Sequence, residues 1–251
     1  MELSYIRLDD RLDAVQAAQF RAPDFVQREF GDKFLMSWLY HELSLEGVIL
    51  TANDIQRALE GREGRDFCDG ELLKRVRRYH DAIRRLKTAS LKREKLRRGT
   101  LMEYQAILCG HQPRDPVRQD SGATEAYKHD VIEPEDIEPA MRNLVARVNR
   151  DIYSRHPIDV AIDAHYRLVK IWPFEEHSAA VARLVANQIL FTNGYPPALI
   201  HAHDRQQYYH ALNYDVRRLQ SLVMNALEGQ IGLRERVFVE AAESRGARLA
   251  S

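Results

Sequence analysis

HPIDVAIDAHYRLVKIWPFEEHSAAVARLVANQILFTNGYPP, residues His156 to Pro197, is the stretch that decides the fold. Pro157 stands where a first helical turn tolerates a missing N–H. Apolar residues then recur at three-to-four spacing as far as Lys170, which predicts a helix. Pro173 interrupts the pattern inside IWPFEE, and helical spacing resumes over Ser178 to Phe191 before closing at Asn193-Gly194, a pair suited to a left-handed cap. A helix, a tight break and a second helix aim the free amides of the second helix's first turn at one point, and such a point binds anions. Glu175 and Glu176 at that start also complement the helix dipole without any chemistry.

Outward from this unit the spacing stays helical, and the β-branched alternation of a sheet is missing. The chain therefore reads as all-α. Phe34, Leu35, Trp38 and Leu39 put an apolar face on a helix from Asp32 to about Leu43. Thr51 caps the next, ANDIQRALE, which ends at Gly61, because its hydroxyl accepts from a free first-turn amide. Leu72, Leu73, Val76, Ile83 and Leu86 form a stripe in the basic segment Glu71 to Arg98. That segment reads as a solvated helix face, since no aromatics or glycines interleave its charges as a nucleic-acid surface would need. Leu101 to Leu108 is another helix. Gly110 to Glu138, with Pro113, Pro116, Gly122 and Pro134, reads as a long polar surface loop with a short hairpin. Helix returns after Pro139, and Arg205 to Leu212, Val216 to Leu227 and Leu233 to Arg245 complete the chain.

The 251 residues carry 37 basic and 37 acidic side chains, so no overall field draws in nucleic acid or an anionic membrane. Two cysteines, Cys68 and Cys109, lack CxxC spacing and point to a reducing, cytoplasmic setting. No stretch approaches the roughly 18 to 20 apolar residues of a membrane span, and the N-terminus has no signal-like apolar run.

Around the Pro173 break the sequence resembles the Fic family of AMP-transferring enzymes, whose hallmark is H-P-F-x-[D/E]-G-N-G-R-x-x-R between two helices. Ala161, His165, Val169 and Ile171 match the preceding helix, and Pro173, Phe174, Glu176, Arg183, Leu184, Asn187, Leu190 and Gly194 to Pro197 continue the register. RQQYYHAL (Arg205 to Leu212) resembles the helix that follows. HELSLEGVILT (His41 to Thr51) resembles the family's inhibitory helix, with Glu46-Gly47 and Leu50-Thr51 matching and Glu42 in the Ser/Thr position. The resemblance implies a helical bundle with a β-hairpin flap somewhere within Gly110 to Ile132. It divides the chain into an N-terminal helical arm (1–69), a core (70–230) and a C-terminal helix (231–251).

The centre of the motif departs from the family. Trp172 stands in place of the histidine that takes the proton from the target hydroxyl, and an indole has no basic nitrogen to offer. His177, Ser178, Ala179 and Ala180 replace G-N-G-R, removing two glycines and one phosphate-binding arginine. By resemblance Glu176 keeps the place of the magnesium ligand, and Arg183, Ser178 and Asn187 are the candidates to hold ATP. The resemblance also implies that Glu46 and Gly47 carry the inhibitory contact to Arg183, the glutamate blocking the γ-phosphate.

Three functions follow. The first is a binding or regulatory module that uses the old cleft and flap. The second is altered chemistry on an anionic or nucleotide-like substrate, with Glu46, Glu176 or His177 as acid or base. The third is residual AMP transfer. Partners implied are a protein or peptide at the flap, a small anionic ligand or a second copy in a homodimer, with neither nucleic acid nor membrane. A metal reading joins Glu176 and His177 to His201, His203 and Asp204, although no spacing forces them together. His165, on the face of Val169, reads as a core histidine.

Overall fold

In a computed structural model, which describes residues 2–111, 117–120 and 131–239, the helices are α1 (Glu2–Arg21), α2 (Asp24–Leu45), α3 (Ala52–Leu59), α4 (Phe67–Leu91), α5 (Arg98–Cys109), α6 (Pro134–Asp151), α7 (Pro157–Ile171), α8 (Ser178–Thr192), α9 (Arg205–Tyr214) and α10 (Val216–Arg234). Among the described residues no strand forms, and one isolated antiparallel bridge joins Val117 to Phe174. Of the stretch in which the flap is expected, residues 112–116 and 121–130 lie outside the described residues. No described helix is long and apolar enough to cross a membrane.

The central pair is α7 and α8, with α4 and α5 packed on α8 and α6 and α10 on α7. From Ser178 to Leu190 every residue of α8 is buried, as expected of a helix surrounded by others rather than resting on a core with one face. Ala179, Ala180, Ala182 and Ala186 keep its surface low enough for neighbours to approach closely. Its buried amide side chains find partners on other elements: Gln188 Oε1 accepts from Tyr104 Oη at 2.7 Å, and Asn187 Oδ1 accepts the Ala198 amide at 2.9 Å. The second bond fixes the chain just after Pro196-Pro197.

Local signals set the helix ends. Pro157 opens α7 behind His156, whose ring accepts the Ile158 amide. Gly194, at φ +86, closes α8 with the Tyr195 amide bonded to Leu190 O at 3.0 Å. At α3 Thr51 and Asp54 exchange side-chain and backbone bonds in a capping box.

Several boundaries differ from the sequence reading. Helix α2 starts at Asp24 rather than Asp32, and α4 ends at Leu91 rather than Arg98, with Arg93 at φ +50 turning the chain away. Helix α6 begins at Pro134 and carries Pro139 inside it, so its start, not Pro139, takes the proline preferred at a first turn. Helix α10 runs unbroken through Gly229 and Gly232 before a single π turn, Glu235–Val239, because Gln230, Ile231 and Arg234 are buried beneath it. A helical arm is expected over 1–69 from sequence, with no separate boundaries for α1. Tyr5, Leu8, Leu12 and Val15 form its buried stripe, and Arg11 makes a bidentate pair with Glu235 at 2.8 Å. The buried apolar residues from Tyr5 to Ile231 make one continuous cluster.

Candidate functional site

The site is built on the turn 172–177 between α7 and α8. Trp172 caps α7 in the left-handed region, φ +47, with its amide still bonded to Leu168 O at 3.0 Å. Its residue is 4% exposed, so the indole is core rather than a group presented to solvent. Arg118 grips the turn from outside: its Nε donates to Trp172 O at 2.7 Å, its amide donates to Pro173 O at 3.0 Å, and its guanidinium also reaches the carbonyls of Asp120 and Ile132. Burial lowers the Arg118 pKa. Ser178 closes the other side, its hydroxyl accepting the Phe174 amide and donating to Phe174 O, both at 2.9 Å. That side chain, expected on the nucleotide, is spent on the loop's own backbone.

Arg183 projects from the middle of α8 into a buried acid clamp. Its Nε donates to Glu42 Oε2 at 2.6 Å and its Nη2 to Glu46 Oε1 at 2.7 Å. The side chains of Arg183 and Glu42 are 3% and 5% exposed, whereas Glu46 is 22% exposed at the rim. Trp38 Nε1 donates to the other Glu42 oxygen at 3.4 Å, and Arg183 Nη1 reaches Tyr208 Oη at 3.4 Å. Tyr208 in turn bonds His165 Nε2 at 2.9 Å. Burial, aided by Arg183, pushes His165 down to about 3, so the ring is neutral at physiological pH. Desolvation raises the Tyr208 phenol and the fully buried Tyr79 phenol well above the usual range. A void bounded by His165, Arg183, Asn187 and Ala198 holds about 10 Å³, room for at most one water.

Helix α9 sets where Glu46 stands. Tyr209 Oη and Arg205 Nε both donate to Leu45 O, at 2.5 and 3.1 Å, satisfying a carbonyl that the end of α2 leaves free. Gly47 follows at φ +81, and a Cβ there would sit 3.0 Å from Arg205 Nη2.

Glu176 and His177 stand at the mouth of the turn, with His177 within electrostatic reach of Glu46. Glu176 is solvent-facing, its carboxylate 3.9 Å from His177 Nε2. His177 takes the left-handed conformation, φ +68, ahead of α8, with its ring edge-on to Tyr79. Burial lowers its pKa. The third neighbour is Cys109, whose pKa rises through burial and then through Glu176. His201, His203 and Asp204 do not join Glu176 and His177, correcting the metal grouping expected from sequence. They border α9 instead, where His201 packs on His41 at 4.4 Å. Burial, then His201 and His203, push His41 down to about 4.

Sequence reasoning missed Glu42 as an Arg183 partner. The signal was there, since Glu42 and Glu46 are four apart and share a helix face. Arg118, Tyr79, Tyr208 and Cys109 reach the site through tertiary packing that no local spacing marks.

An all-helical domain organised around a helix–turn–helix of this kind is the architecture of Fic domains. The Fic/DOC family model matches residues 74–190, and the chain belongs to that family. It is similar to the protein adenylyltransferase Fic of Drosophila grimshawi, at 25% identity over 92% of this chain, and spans 49% of that relative's length. In structure it resembles a Fic domain-containing signalling protein from Bacteroides thetaiotaomicron, with a TM-score of 0.77, 20% identity and coverage of 92% and 97% of the two chains. Fic-1 (residues 134–508) of C. elegans follows at a TM-score of 0.75 and 21% identity, covering 97% of this chain and 75% of that one. At these identities the structural likeness speaks for the fold alone.

Proposed function

We propose that this chain is a Fic-fold binding or regulatory module that does not carry out ordinary AMP transfer. The observation that carries the reading is the double clamp on Arg183, whose guanidinium donates to Glu42 and Glu46 together. On this reading the arginine that would meet a phosphate is neutralised from within, and α2 is locked across α8. Glu42 adds a second acid to the inhibitory pair anticipated at Glu46. ATP with magnesium fits the remaining groups poorly. Magnesium takes oxygen ligands in near-octahedral geometry, yet Glu176 is grouped with an imidazole and a thiol. Ser178 is engaged with Phe174, and Asn187 with Ala198.

The Trp172 indole supports the same reading, because the place of the base is filled by a buried apolar ring. A protein or peptide partner at the flap edge, beside Val117 and Phe174, is the partner this module suits. Incubation with labelled ATP and magnesium tests the proposal on the natural chain and on a Glu42→Gln/Glu46→Gly variant. We expect no incorporation and no calorimetric ATP binding in either. Incorporation that disappears with Arg183→Gln would overturn it.

A further inference from the structure

We infer that Cys109, Glu176 and His177 form a zinc site that ties the end of α5 to the turn before α8. The three residues come from two separate elements, and their ligand atoms all lie within 4.8 Å of one another. Zinc bonds of roughly 2.0 to 2.3 Å place tetrahedral ligands about 3.3 to 3.7 Å apart. Closure by at most about an ångström suffices, and the solvent-facing Glu176 side chain, 74% exposed, is free to move in on the Cys109 and His177 pair.

Thiolate, imidazole and carboxylate together select a borderline-soft ion and argue against magnesium or calcium. Charge agrees. One thiolate and one carboxylate cancel a divalent ion, so the complex is neutral at the positive end of α8, where Glu46 on one side and Arg75 and Arg78 on the other act on His177. Three protein ligands leave one position for water, the arrangement of open zinc sites.

Independent features surround the cluster. Gln105 is 3% exposed and its Nε2 donates to Cys109 Sγ at 3.1 Å, the outer contact that orients a thiolate ligand. Its Oε1 is buried without a hydrogen-bond partner, as is the hydroxyl of Tyr79, whose ring packs against His177. A water on the fourth metal position is a donor of the kind Gln105 Oε1 lacks. His177 also holds a left-handed conformation that costs a non-glycine residue on the order of 1–2 kcal/mol. An imidazole kept at such a position has a use there.

The test is anaerobic titration of the chelator-stripped chain with Co2+ as a spectroscopic stand-in. We expect a thiolate-to-cobalt charge-transfer band and intense tetrahedral visible bands, both bleached by one equivalent of Zn2+. Cys109→Ser should abolish the charge-transfer band while keeping the helical circular dichroism, and His177→Gln should abolish tight binding. Gln105→Leu should weaken it by about 10–100-fold. Cys68→Ser and His201→Ala should change nothing. Binding without the charge-transfer band, a band that survives Cys109→Ser, or binding lost with His201→Ala would each overturn the site. So would a folded wild-type chain that takes up no metal.

Discussion

Arg183 Nε lies 2.6 Å from Glu42 Oε2, a contact between the middle of α8 and the last turns of α2 in which both side chains are at least nine-tenths buried. With Glu46 on the same guanidinium, two carboxylates face one cation. Removing the arginine strands both acids, whereas removing Glu42 leaves an intact pair with Glu46. Breaking a buried pair by deleting one partner typically costs on the order of 3–5 kcal/mol. Arg183→Leu is therefore expected to lose stability in that range, and Glu42→Gln well under half as much. Urea unfolding followed by circular dichroism measures both. Equal losses would mean that the clamp is not shared.

Gly47 controls the angle at which Glu46 meets that clamp. At φ +81 a side chain is strained, and a Cβ would meet Arg205 Nη2 at 3.0 Å. Gly47→Ala should cost about 1–2 kcal/mol from the backbone alone. It should also displace Arg205 from Leu45 O, to which it donates at 3.1 Å. A lowered Tm that an added Arg205→Ala change does not lower further would locate the effect in this contact.

How much of this was legible depended on whether local chemistry marked it. Pro157, Pro173 and Gly194 delimit α7, the turn and α8 in the sequence itself, and Thr51 with Asp54 marks the start of α3. Within the N-terminal arm the extent of α1 carries no clear mark, because charges separate Leu8, Leu12 and Val15, whose burial comes from α10 and the π turn beyond it. Gly229 and Gly232 look like breaks, but burial of Gln230 and Ile231 holds α10 together. Arg118 sits in a stretch whose composition reads as loop, yet it is 1% exposed because backbone carbonyls of the turn surround its guanidinium. Cys109 meeting His177 is a tertiary event with no periodic trace.

His165 gives the fold a sign-defined response to acid. Its folded pKa is pushed down to about 3, against about 6.5 in an unfolded chain. Between these values the unfolded state binds the proton and the folded state does not. The contribution is fully present above about pH 6.5 and falls as pH drops toward 3, at up to about 1.4 kcal/mol per pH unit. His165→Gln should keep a polar partner for Tyr208 and flatten that slope. Unfolding free energies at several pH values between 7 and 4 decide the point, and an unchanged slope in the variant would assign the acid sensitivity elsewhere.

Trp172→His puts an imidazole back at the turn, and the proposed function makes a definite statement about the result. The buried indole is lost for a smaller, polar ring, so stability should fall by on the order of 2 kcal/mol or more. The base returns, but His177 to Ala180 still lack the glycines and arginine of the family motif, and Arg183 remains paired with Glu42 and Glu46. The single variant is therefore expected to incorporate no AMP from labelled ATP. Adding Glu42→Gln and Glu46→Gly should free Arg183 without rebuilding the phosphate cradle, and incorporation should still be undetectable. AMP transfer by Trp172→His alone would mean that the clamp opens readily and that the missing base is all that silences the cleft.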